Sequence, residues 1–146
     1  MARRSEHEAG TALIETALIM PVVLLILIGI FEVGRAYQTW QVLTNAAREG
    51  ARASVIQSAD EDTVEAVVKQ YMTAGQLPAA DDADIDINRS ATLTVNGTTV
   101  GASQVTVDYP FEFVVLQPIA RLVVPDTHTG DAITMRATSL MRNEAQ

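Results

Sequence analysis

Glu15 is a carboxylate in a place where carboxylates are costly. From Thr16 to Phe31 the chain reads TALIMPVVLLILIGIF, without a single charge. An acid inside such a stretch costs roughly 2.5–3.5 kcal/mol at mid-bilayer, and less near an interface. Ionisable groups in that setting usually pair with something specific and mark a functional position. Two other constellations invite chemistry and are weaker. His128 lies near Asp126 and Asp131, but their spacing matches no standard metal signature. A lone loop histidine, with no framed serine or other nucleophile motif nearby, is more often solvated surface than a catalytic base. Asp82, Asp84, Asp86 and Asn88 alternate like the start of an EF-hand loop. The sixth position is Ile87 where that loop needs glycine, and the twelfth is Leu93 where it needs glutamate. A solvated strand face is the better reading of that run. No metal, cofactor or enzymatic turnover is expected.

The elements that position Glu15 begin with MARRSEHEAG, polar and carrying Arg3 and Arg4. Arginines before a spanning helix hold that end in the cytoplasm. A cleaved secretory signal would need a shorter apolar core and a small-residue cleavage site. Instead the run is followed by Glu32-Val33-Gly34-Arg35. Residues 11–31 make about 32 Å of helix at about 1.5 Å per residue, which matches a bilayer core. Pro21 removes one backbone hydrogen bond within it, a defect that membrane helices tolerate. Gly29 is small enough for close helix contact.

The helix is expected to continue over residues 32–57 as an amphipathic extension. Val33, Ala36, Tyr37, Trp40, Leu43, Ala47, Gly50, Ala51 and Ser54 recur at three- and four-residue steps. Tyr37 and Trp40 suit the water–lipid boundary. Ala46, Gly50 and Ser54 form a small-residue series that admits a close neighbour. The outer part of this stripe is expected to pack on the chain's own domain, and the inner part on other subunits.

Residues 58–146 read as an α+β domain. Asp60 or Asp62 caps a short second helix bearing Val64, Val67, Val68, Tyr71 and Met72, closed by Gly75 and Pro78. Strands are expected over 84–89 and 92–95, with a hairpin at Asn96-Gly97 returning over 98–100. The longest, 105–115, sets Val105, Val107, Tyr109, Phe111, Phe113 and Val115 against Thr106, Asp108, Pro110 and Glu112. Pro110 implies an edge or a bulge. Leu116–Val124 reads as a short helix, and residues 133–141 as a last strand. A small antiparallel sheet packed on the helices is the expected architecture. The chain's 146 residues suffice for one small domain and one membrane segment. Its net charge of −8 argues against nucleic acid, and the absence of cysteine excludes disulfides.

Three pieces of the N-terminal third carry a resemblance: GTALIETALIMP, then GIFEVGR, then NAAREGAR. Together, from Gly10 through Arg52, they resemble the TadE-like family, minor pilins or pseudopilins of tight-adherence (Flp) type IV pili. The resemblance implies a leader of residues 1–10, cut on the cytoplasmic side by a membrane-embedded prepilin peptidase. Gly10 would end the leader and Thr11 would begin the mature chain. Major Flp pilins are far shorter and carry tyrosine where this chain has Thr16, so a minor role is implied. The implied partners are that peptidase, other pilin and pseudopilin subunits, and the pilus membrane platform. The implied location is the inner membrane, N-terminus in the cytoplasm, with the domain outside.

The cut would give Glu15 a partner. Thr11 and Glu15 stand one helical turn apart, on one face. A new α-amino group has an ordinary pKa near about 8 and is mostly cationic at neutral pH. Amine and carboxylate could then neutralise each other within a chain or between neighbours. Between chains the pair would fix axial register, since a slip leaves a charge unpaired. The alternative is a signal-anchored periplasmic binding domain whose apolar helix is only a tether.

Overall fold

The structure, a computed structural model, describes residues 2–56 and 59–143, with side chains described from Gly10 onward. The side chains of Arg3, Arg4 and His7, and the expected domain boundary at residues 57 and 58, lie outside that description. Six elements follow one another: α1 (Ala2–Ser54), α2 (Glu61–Ala74), β1 (Asp84–Val95), β2 (Thr98–Phe111), α3 (Leu116–Val123) and β3 (Ile133–Arg142). This is the expected α+β arrangement of a long apolar helix, a shorter second helix and a small antiparallel sheet. The helix α1 runs through Pro21. It is the one described helix long and apolar enough to cross a membrane, and none of its apolar window is buried.

The described residues divide into two compact units. One holds α1 through Arg35 together with Phe113–Gly130 and therefore contains α3. The other holds Ala36–Glu112 and the chain from Asp131 onward.

In the second unit, the outer part of α1 is a wall of the core. Leu43, Ala46, Ala47 and Ala51 are fully buried, beside Val64, Val68 and Met72 of α2. The sheet contributes Val105, Val107, Tyr109, Phe111 and Ala137. Small residues on α1 permit the approach. A Cβ on Gly50 would stand 2.5 Å from Val68 Cγ2 and 3.2 Å from Val105 Cγ1. At the start of α2, Asp60 is the N-cap, and its Oδ1 accepts from the Thr63 amide at 2.9 Å. At its end, Gly75 keeps an ordinary φ and the left-handed position falls to Gln76, φ 60°. Glycine is needed there for space, because a Cβ on Gly75 would lie 2.5 Å from Val42 Cγ1.

The sheet order is β1-β2-β3, antiparallel throughout. The short strands expected on either side of Asn96-Gly97 are the ends of two long ones. Strand β1 is continuous, with an irregularity between Asn88 and Ala91. Asn96 and Gly97 take φ values of 51° and 78°, the two positive values that a tight hairpin requires. Strand β2 stops at Phe111, four residues short of the expected end. Val115 has another use, described below. Pro110 lies in the central strand, yet the β1–β2 pairing ends at Asp84–Asp108. At Pro110 the sheet is locally two-stranded, and the expectation of an edge holds at that point.

Asp108 and Arg136 are paired across β2 and β3. Arg136 Nε donates to Asp108 Oδ1 at 2.7 Å and Nη2 to Oδ2 at 2.6 Å. The hydrogen bonds from Arg136 hold the Asp108 carboxyl below the usual range, against the opposing effect of desolvation. A carboxyl lowered on folding stabilises the native state above its unfolded pKa and loses that contribution as pH falls through its folded value. Asp108→Asn should therefore lower the urea midpoint of detergent-solubilised protein at pH 7. The gap to wild type should begin to narrow near about pH 4, the ordinary carboxylate range, and close only below the lowered folded value. A gap independent of pH would contradict this origin.

Candidate functional site

Gly10, Thr11 and Glu15 all lie on α1, within its uncovered stretch. Thr11 and Glu15 are exposed. A Cβ on Gly10 would meet no atom within 4 Å. The Thr16 hydroxyl donates to the Ala12 carbonyl at 2.8 Å, which satisfies the one polar side chain between Glu15 and Pro21 inside the helix. Pro21 is exposed, as is Gly29, and a Cβ on Gly29 also meets nothing within 4 Å. Leu18, Leu25 and Ile30 are 78%, 64% and 66% exposed. A water-soluble domain does not leave such a cylinder of large apolar side chains bare.

Ala46 and Gly50 fall elsewhere. Both are buried in the second unit, Gly50 against Val68 of α2 and Val105 of β2. Tyr37 and Trp40 remain 60% and 45% exposed, with ring centroids 6.3 Å apart. An exposed stretch of aliphatic side chains ending at paired amphipathic rings matches a helix leaving a bilayer.

Residues 10–52 match the family model of TadE-like protein. The TadE-like segment thus comprises the uncovered apolar stretch, Glu15, and the part of α1 that enters the core. Neither curated proteins nor solved structures provide a match to the chain. The apolar helix within the TadE-like segment suggests a single-pass membrane anchor.

One residue of the TadE-like segment was not singled out from sequence. Glu32 is 2% exposed. Its Oε1 accepts from the Val115 amide at 2.6 Å and from the Leu116 amide at 3.2 Å. Its Oε2 accepts from Arg35 Nη1 at 2.9 Å. Val115 is the N-cap of α3, and its own side chain supplies no capping bond. A carboxylate from α1 therefore satisfies amides that the start of a helix leaves open, where negative charge is favoured. The signal available in sequence was the acid that ends the uncharged run, with an arginine three residues later at helical pairing distance.

The weaker constellations stay dispersed. Asp84, Asp86 and Asn88 stand on the exposed face of β1, and His128 is exposed. Among the described residues, no three acidic or histidine side chains gather closely enough to hold a metal ion. An open depression of about 420 Å³ in the second unit is lined by Gln38, Gln41, Asn45 and Tyr71, among others. It presents amides and a phenol, without a nucleophile–base pair.

Proposed function

We propose that this chain is a minor pilin or pseudopilin of a tight-adherence pilus, working by helix-mediated assembly without substrate turnover. A prepilin peptidase cuts between Gly10 and Thr11. The new amine and Glu15 then form the pair that sets the register of the helix against neighbouring pilin subunits and the membrane platform. Arg3 and Arg4 keep the leader in the cytoplasm, and the sheet domain lies on the far side of the inner membrane. The observation that carries the reading is the coincidence of the TadE-like match with an uncovered apolar helix bearing an exposed carboxylate.

Mass spectrometry of the N-terminal peptide from native membranes tests the cut. A mature chain starting at Thr11 is expected; one starting at Met1 or Ala2 overturns the reading in favour of a simple anchor. Glu15→Gln tests the pair. It removes the charge at nearly constant shape, so recovery with pilus proteins should fall by about tenfold or more, the scale of a lost charge pairing of more than about 1.4 kcal/mol. Undiminished assembly would reject the register role.

A further inference from the structure

Helix α3 and its C-cap Val124 carry apolar side chains at high exposure. Leu122 is 85% exposed, Val123 76% and Val124 54%. The segment from Phe113 to Pro125, FVVLQPIARLVVP, contains no acidic residue, in a chain whose net charge is −8. Its one charged residue is Arg121. The bonds from the Val115 and Leu116 amides to Glu32 fix where α3 begins. Glu32 is the first charge after the run ending at Phe31. The start of α3 is thereby held at the level where the apolar span ends.

We infer that α3 is a membrane-contacting foot, with Leu122, Val123 and Val124 inserted into the headgroup–acyl boundary of the leaflet from which α1 emerges. The inference rests on reading α1 as membrane-spanning. Leu122 lies six residues beyond Leu116, about 9 Å of helix, so with α3 lying along the boundary it stays at that level. Interfacial helices bury their apolar faces about 5–10 Å into this layer, and each interfacial layer is itself about 5–8 Å deep. Lipid is favoured as the occupant because the patch shares its unit with the exposed end of the span, where Ile30, Phe31 and Val33 are 66%, 53% and 70% exposed. The carboxylates of Glu112 and Asp126 flank the segment without entering it, which suits contact with anionic lipid, a surface that repels acidic residues.

The chain lacks cysteine, so single substitutions take one label each. Leu122→Cys, Leu24→Cys and Thr98→Cys would each carry an environment-sensitive fluorophore in the full chain. Each would be reconstituted at one copy per nanodisc of phosphatidylethanolamine and phosphatidylglycerol. The label at position 122 should be quenched by lipids spin-labelled near the headgroup, and should resist aqueous iodide about threefold better than the label at 98, as burial in the boundary layer requires. Iodide quenching at 122 equal to that at 98, with quenching at 24 by lipids spin-labelled deep in the acyl chain intact, overturns the foot while leaving the span. Protection at 122 from iodide without lipid quenching also overturns it, because protein then covers the patch. Absence of quenching at 24 by the acyl-chain-labelled lipids overturns the spanning helix, and the foot with it.

Discussion

Phe111→Ala should lower the unfolding free energy of the sheet domain by about 3–5 kcal/mol, the range for emptying a buried phenylalanine site. Phe111 is 2% exposed, the largest of the fully buried side chains, and pairs with Ile133 at the last register position of β2 and β3. Neighbours cannot easily collapse into the space. Tyr109, two residues back on the same face, is held by its hydroxyl, which accepts from the Ala79 amide at 3.3 Å. Domains are stable by about 5–15 kcal/mol, so the loss removes a large share of the total. Thermal unfolding in detergent should show a melting temperature lower by about 10–20 °C. Leu122→Ala is the matched control; at 85% exposure it should leave that temperature unchanged. Equal effects of the two substitutions would contradict the placement of the core.

Glu32→Ala should release α3. The substitution removes the acceptor of two amides and leaves a nearly closed site with donors to satisfy, at about 1–3 kcal/mol for each amide left without a partner. Glu32→Gln retains a carbonyl oxygen and should recover part of that loss, because one acceptor persists while the charge-assisted strength goes. Amide hydrogen exchange reads the effect directly. Protection at Val115 and Leu116 should fall by about tenfold or more in the alanine variant, as a local opening eased by more than about 1.4 kcal/mol implies, with β2 amides unaffected. Unchanged protection at those two amides would refute the contact.

Much of this architecture was legible in the chain because it follows from short-range periodicity. The stripe from Leu43 to Ser54 repeats at helical steps, and the structure buries it. Val105, Val107, Tyr109 and Phe111 alternate, and all four face inward. Asn96-Gly97 named its own turn. The stretch from Gly10 to Glu15 stood out through its unusual charge placement, and it falls within the segment that the TadE-like match covers. Glu32 was not legible, because its meaning depends on Val115 and Leu116, far away in sequence. Local pattern shows an acid at the end of an apolar run but not that the acid is buried. The end of β2 was misjudged for the same reason: Val115 continues the alternation on paper, but its amide is engaged by Glu32. Ala46 and Gly50 show a further limit. A small-residue spacing announces close approach without saying what approaches, and at Gly50 it is Val68 of α2 and Val105 of β2.

One piece of helix serves both as the continuation of the apolar span and as an inner wall of the sheet domain. Because Leu43, Ala47 and Ala51 stand on one helix within the second unit, a pull along that part of α1 loads them together. To yield, those side chains must slide together past α2 and the strands, loading the whole layer in parallel instead of peeling one contact after another.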